Sequence, residues 1–233
     1  MKYRGISAHV EYANQTLDWF STDNEKTFEW HLRKDFGKVD ESGWLDRKVE
    51  YSFNSLGFRS EEFDDSKKAV VFLGGSEVIG TGVPIKDAFP ELVAAKLKMK
   101  CYNLAQSGAA NDTIYRMASY WLPKLKPKLV VMLSPPPFRI EVIDAFQDQP
   151  ITFYVPQFYA KDPFFKTWLS CDDNSLLNEE KNKLAVQHIC KANKIKLISF
   201  EDTEFEQLDH ARDFIHKGMQ SHAVFAQQIL AKI

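Results

Sequence analysis

The 233-residue chain has no excess of charge of either sign: 30 Lys and Arg face 32 Asp and Glu, for a formal net charge of −2. Basic tails, acidic tails and blocks of like charge are missing as well. A surface that neutralises nucleic-acid phosphates needs clustered Lys and Arg, so that partner class is not expected. No stretch approaches the roughly 20 apolar residues of a membrane-spanning helix. The start, Met1-Lys2-Tyr3-Arg4-Gly5, leads into no apolar run of the roughly 7–15 residues a secretory signal needs. The expectation is therefore a protein that is cytoplasmic or released without a signal peptide. Cysteine is scarce. Cys101, Cys171 and Cys190 are odd in number and far apart, so they form neither a disulfide framework nor a CxxC metal pair. They suit a reducing compartment, where a free Cys serves as a small buried hydrophobe. Internal repeats and low-complexity tracts are also absent.

Large apolar side chains, by contrast, are plentiful. A hydrophobic fraction of 44% with 18 Phe and five Trp argues for a packed core rather than disorder. At about 150 residues per domain, the length allows one large domain or a domain with an appendage. Residues 1–66 read as an N-terminal extension packed on the main domain. They are rich in aromatic and charged residues and show no long helical period. Val49-Glu50-Tyr51-Ser52-Phe53 alternates as a half-buried strand does.

Residues 67–233 read differently. Ala69–Leu73 and Leu129–Leu133 are continuous apolar runs, as expected of strands buried on both faces. Further strands are predicted at Cys101–Leu104 and Ile195–Phe200. Helices are predicted at Asp87–Met99, Asp112–Leu122, Glu179–Ala192 and Ser221–Ile233. This alternation implies βαβ units and a doubly wound, mainly parallel α/β sheet. Ligands of such sheets bind at the carboxyl ends of the strands.

Three segments lie at such ends. In Leu73-Gly74-Gly75-Ser76-Glu77, glycines let the backbone turn sharply and present a hydroxyl. In Asn103-Leu104-Ala105-Gln106-Ser107-Gly108, Gly108 permits a close backbone approach. In Asp213-Phe214-Ile215-His216, an Asp three residues before a His can orient the imidazole to accept a serine proton. Each has a plainer alternative: Ser76 as a helix N-cap, Gly108 as a turn residue, Asp213 as a cap of the last helix. A metal site from His210, Asp213 and His216 is a further alternative. His222 reads as a packing residue or as part of a solvated surface.

Together these segments resemble the SGNH (GDSL-type) hydrolase family over roughly Ala69–Ile233. Asn54-Ser55-Leu56-Gly57-Phe58-Arg59 is similar to a stretch upstream of the nucleophile in some members. The resemblance implies a flavodoxin-like three-layer α/β/α sandwich acting on small acyl esters, often acetyl groups on carbohydrate. Ser76 would be the nucleophile, His216 the general base and Asp213 its orienting acid. The N–H groups of Ser76 and Gly108 would form the oxyanion hole, and no metal or organic cofactor is implied.

The departures are specific. The family's Gly-Asp-Ser is Gly74-Gly75-Ser76, and Glu77 directly follows the serine. The Asn expected after the third main strand has no counterpart, because Ser134-Pro135-Pro136-Pro137-Phe138-Arg139 stands there. Losing one such donor costs roughly 10²–10³ in rate; Asn111 and Arg139 are the candidate replacements. A catalytically degenerate module of the same fold, binding a glycan or protein partner, is the competing expectation. A third is an assembly protein using Trp19, Phe20, Phe28, Trp30, Phe36 and Trp44 as a contact surface. Seven aromatics between Phe153 and Trp168 are either core packing of an irregular insertion or a substrate wall, with Tyr159 and Trp168 as the residues to test. Oligomeric state is not legible.

Overall fold

The computed structural model describes residues 6–64, 68–144, 149–154, 163, 167, 168 and 171–233. Near the N-terminus two short strands, β1 (Thr16–Leu17) and β2 (Tyr51–Ser52), pair antiparallel. Between them lie helices α1 (Glu25–Lys34) and α2 (Phe36–Ser42), which the hydrophobic pattern does not announce. The reason is physical: α1 buries none of its residues fully and α2 only Val39. Their ends define them instead. Asn24 accepts from the Thr27 N–H to cap α1, and Asp35 accepts from the Lys38 N–H to cap α2. Each such cap contributes about 1 kcal/mol.

The main layers begin with β3 (Ala69–Leu73), α3 (Ser76–Ile79), α4 (Phe89–Leu97), β4 (Lys100–Asn103), α5 (Asn111–Leu125) and β5 (Leu129–Ser134). Strands β6 (Arg139–Asp144) and β7 (Gln149–Tyr154) then form a separate antiparallel hairpin. Helix α6 (Asp172–Ala192), strand β8 (Lys196–Glu201) and helix α7 (Met219–Ala231) complete the chain. The hairpin is a departure from expectation, since Phe153 and Tyr154 fall on β7 rather than in an irregular insertion. Helix α6 starts seven residues earlier than the apolar period suggests. Its extra turns are polar, and Asp172 and Asp173 in the first turn complement the helix dipole.

The central sheet has the order β4-β3-β5-β8 with all neighbours parallel. Its side chains alternate between two faces, as the period of two requires. Val70, Phe72, Val131 and Leu133 pack with Phe89, Val93, Phe225 and Ile229 of α4 and α7. Val71, Leu73, Val130 and Met132 pack with Ile114, Met117, Leu122 and Val186 of α5 and α6. This is a three-layer α/β architecture. Each fully buried Val, Leu or Phe contributes roughly 1.5–3 kcal/mol, and β3 and β5 are buried along their whole length.

Phe20, Trp44, Tyr51 and Phe53 join the cluster on the α4/α7 side of the sheet, so the N-terminal aromatics cover the main core. Trp30 and Phe36 remain exposed. Cys101 and Cys190 are buried thiols, and burial pushes Cys190 up to about 11. Cys171 differs from the expectation of a buried hydrophobe: it is exposed, at the N-cap of α6. Among the described residues no helix is long and apolar enough to cross a membrane. From β3 the chain moves to β4 on one side and later returns to β5 on the other. The carboxyl ends of β3 and β5 therefore flank the crevice in which such sheets bind ligands.

Candidate active site

Ser76 stands at this crevice because β3 ends in two glycines. A Cβ at Gly74 would lie 2.9 Å from the Leu133 carbonyl and 2.3 Å from Val78 Cγ2, so β3 and β5 close up only around a glycine. Gly75 is the N-cap of α3, and Ser76 is its first residue rather than its cap. The serine hydroxyl is directed elsewhere. Ser76 Oγ lies 2.7 Å from His216 Nε2, and His216 Nδ1 lies 2.6 Å from Asp213 Oδ2. Asp213 Oδ1 accepts the Ile215 and His216 N–H groups, each at 3.0 Å. The Nδ1–H therefore points at the carboxylate, and Nε2 is left as the acceptor for the serine proton.

Asp213 is fully buried. Burial pushes its carboxyl up, but the hydrogen bond and charge of His216, with the Thr22 hydroxyl, outweigh that and hold it below its ordinary value. For His216, burial pushes the imidazole down, while the Asp213 hydrogen bond and charge and the charge of Glu77 raise it above 6.5. Both directions favour the ion pair.

Glu77 is turned from the Ser76 hydroxyl to a cation. Its Oε1 is 3.2 Å from Lys217 Nζ, and its Oε2 accepts the Lys217 N–H at 3.4 Å. The charge that opposes an oxyanion is thereby compensated. Gly108 sits at the turn after β4 with φ +70°. That turn is tied to β3 by the Gln106 N–H, which donates to the Gly74 carbonyl at 3.2 Å. Asn111 is buried and donates to the Pro135 carbonyl at 3.4 Å, whereas Arg139 lines the cavity at Ser76. The cavity measures about 190 Å³, with Gly75, Pro135, Pro136, Ile215 and His216 also in its wall. This is below the roughly 300–1,000 Å³ of sites for larger ligands.

Other residues singled out in the sequence lie apart. Tyr159 falls outside the described residues. Trp168 is half-buried and accepts from Asn174 through its carbonyl. His210 hydrogen-bonds Gln207. His222 is stacked on Phe89, accepts the Phe89 N–H, and is pushed down to about 3 by burial.

Most of the residues that sequence reasoning missed come from the N-terminal segment. Thr22 Oγ1 donates to Asp213 Oδ2 at 2.6 Å. Asp23 receives Arg212 Nε at 2.9 Å and Nη2 at 2.8 Å, both within the protein interior. Tyr51 Oη donates to Asp23 and accepts from the Gly82 N–H at 2.7 Å. Gly82 has φ +75°, and a Cβ there would lie 2.8 Å from Ala211 Cβ. Ser21 and His9 reach Ser107, beside Gly108, at 3.0 and 3.2 Å. Arg59, within the upstream motif, donates to the carbonyls of Ile79, Gly80 and Val83 and so fixes the chain leaving α3. Nothing in local spacing signals Thr22 or Asp23, because their partners lie about 190 residues away.

Residues 36–125 match the family model described as "Domain of unknown function (DUF6473)", less than half of the chain. A comparison with curated proteins finds no match. Among solved structures the chain is similar to a carbohydrate esterase whose active site displays divergent catalytic and non-catalytic binding functions. Identity is 12% and the TM-score 0.42, over 73% of this chain and 66% of that one. It is similar to a carbohydrate esterase family 2 enzyme with a carbohydrate binding domain from Corynascus thermopiles (Myceliophthora fergusii), at 13% identity and TM-score 0.38, over 72% and 65%. A third is described as a lipolytic protein of the G-D-S-L family from Desulfitobacterium hafniense, at 12% identity and TM-score 0.38, over 71% and 99%. The chain thus spans about two thirds of the first two. At these scores the likenesses carry no argument about its chemistry.

Proposed function

We propose that the protein hydrolyses or transfers small acyl esters, O-acetyl esters of carbohydrate among them, through Ser76, His216 and Asp213. One observation carries the reading: the continuous hydrogen-bond relay from Ser76 Oγ through both nitrogens of His216 to Asp213. Ser76 Oγ attacks the acyl carbon as His216 Nε2 takes its proton, and Asp213 stabilises the imidazolium. The tetrahedral oxyanion is held by the N–H groups of Ser76 and Gly108. On collapse His216 returns the proton to the leaving alcohol. Water, or an acceptor hydroxyl in a transferase, then attacks the acyl-enzyme by the same path. The chemistry calls for no metal or organic cofactor.

A second reading, a module that binds a glycan or protein partner without turnover, is favoured by Pro135–Pro137 standing where the family carries its donor Asn. The two readings part in one experiment: burst and steady-state release from p-nitrophenyl acetate by wild type and Ser76→Ala. The enzyme reading expects a burst in wild type and a loss of at least about 10⁴-fold in the variant. Equal, background-level rates in both folded proteins would leave the binding reading in its place.

A further inference from the structure

We propose that Phe214 is a positioning residue of the relay: its ring, gripped by helices α1 and α2, holds the Asp213–His216 loop in a left-handed turn. The inference rests on the serine-hydrolase reading of the same site. Its starting point is a backbone outlier. Phe214 has φ +57°, a conformation that brings the Cβ of an L-residue too close to the following carbonyl oxygen. Among the described residues, the other non-glycine positions with positive φ are Asn14, Ser21 and three lysines. Phe214 alone carries a buried apolar side chain there. Its N–H donates to the Ala211 carbonyl at 2.9 Å and closes a four-residue turn. The last position of such a turn favours glycine. Local preference therefore works against the turn that forms.

What the turn achieves is visible at the carboxylate. The chain reverses at Phe214, and the Ala211 N–H donates to the His216 carbonyl at 2.9 Å. The reversal brings the N–H groups of Ile215 and His216 onto Asp213 Oδ1, each at 3.0 Å. Oδ2 is left for His216 Nδ1 and the Thr22 hydroxyl, both at 2.6 Å. One oxygen locks the carboxylate to the backbone while the other addresses the imidazole. A turn relaxed out of the left-handed region would release Oδ1 and let the carboxylate rotate.

Tertiary contacts supply what local preference does not. The Phe214 ring is 8% exposed and joins the core cluster on the α4/α7 side of the sheet. From α1, the His31 ring lies 4.7 Å away, centroid to centroid. From α2, Lys38 Nζ lies 5.5 Å from the Phe214 ring centroid. Trp44 Nε1 donates to the His210 carbonyl at 3.0 Å and pins the start of the same loop. Ile215, the next residue, is 58% exposed and lines the Ser76 cavity instead. A disfavoured backbone state persists only where its surroundings hold it, and such states gather at active sites. Helices α1 and α2 supply no group to the relay, yet they hold the residue that shapes it.

The test is the rate at which a fluorophosphonate labels Ser76 in the full chain, followed across pH. Labelling forms the Oγ–phosphorus bond as His216 takes the serine proton and fluoride leaves. Wild type, Phe214→Ala, Phe214→Leu and Phe214→Gly are compared, with Ser76→Ala as background and circular dichroism as the check on folding. Alanine and leucine lose the ring but keep the Cβ that opposes the turn. Glycine loses the ring and the opposition together. Phe214→Ala should label about 10²-fold more slowly than wild type, and Phe214→Gly should recover to within about tenfold. The pH midpoint, above 6.5 in wild type, should move down toward 6.5 and lie lower in Phe214→Ala than in Phe214→Gly. His216 is flanked by Asp213, Glu77 and Lys217, and only the Asp213 contact is altered in this series. His31, beside the ring, titrates below that rise, because burial, Lys38 and Lys34 hold it under 6.5. Phe214→Leu keeps most of the apolar bulk, so the comparison with glycine stands even where the alanine variant does not fold. A ring that only fills space would leave the midpoint unmoved and make glycine no better than alanine or leucine. Either of those results overturns this proposal alone. Failure of wild type to label at Ser76 overturns both this proposal and the serine reading beneath it.

Discussion

The N-terminal segment and the α/β layers contribute to one site by opposite means. The layers present the hydrogen-bond relay: Ser76 from the end of β3 and His216 with Asp213 from the loop before α7. The N-terminal segment presents none of them, yet its Thr22 touches Asp213, its Asp23 holds Arg212 beside Asp213, and its His9 and Ser21 hold Ser107 beside Gly108. The relay sits in the part whose periodicity is strong. Its positioning depends on a part whose elements are short and irregular. A hydroxyl aimed at a buried carboxylate does not require a long helix or strand, only a chain that passes at the right distance and is anchored there.

The largest effect should come from cutting that anchor. Asp23→Ala leaves Arg212 buried without its counter-charge, and breaking such a pair costs about 3–5 kcal/mol. Urea unfolding should report that loss. A change below about 1 kcal/mol would mean that the segment is a passive cover and the two regions are independent.

A second test sharpens the comparison through pH. His216 must be neutral to accept the serine proton, and its partners raise its pKa above 6.5. The rate of Ser76 labelling should therefore rise with pH to a midpoint above 6.5, falling about tenfold per unit on the acid side. A midpoint at or below 6.5 would contradict the ion pair. The stability linkage has the corresponding signs. The Asp213 contribution is present above its ordinary value of 3.8 and lost as pH falls through its depressed folded value. The His216 contribution is present below 6.5 and lost as pH rises through its raised folded value.

Thr22→Val asks whether the segment tunes the site or only supports it. Removing one donor from a buried carboxylate should slow Ser76 labelling by about tenfold, a loss of about 1.4 kcal/mol. Thr22→Ser should keep the wild-type rate. Equal slowing by both would point to packing of the methyl group instead. The smallest effect is expected at Asn24→Ala, which removes the cap of α1 for about 1 kcal/mol of stability. Thermal melting should show it with no change in labelling. A clear drop in labelling would make α1 part of the site.

The strands and helices of the α/β layers were legible because each buries a face, and burial writes a period of two or 3.6 into the residues. Helices α1 and α2 were not, since each buries little: α1 packs only partly buried Phe28 and Leu32 against the core, α2 buries only Val39, and Asn24 and Asp35 cap their ends. The segments bearing Ser76 and Asp213 with His216 were legible from their places after a strand and before the last helix, whereas Gly108 was singled out as a donor only through the family resemblance. The partner of Glu77 was not, because a carboxylate beside a nucleophile reads as a liability until Lys217 is seen against it.

The sequence by itself determined the class of fold and the segments that meet at the crevice, since both follow from local composition and spacing. Only the tertiary structure decided which side chains face one another: Thr22 on Asp213, Lys217 on Glu77, and Arg139 rather than Asn111 at the Ser76 cavity. Such contacts join residues far apart in the chain, and the distance between them is set by how layers pack, a quantity that no local pattern encodes.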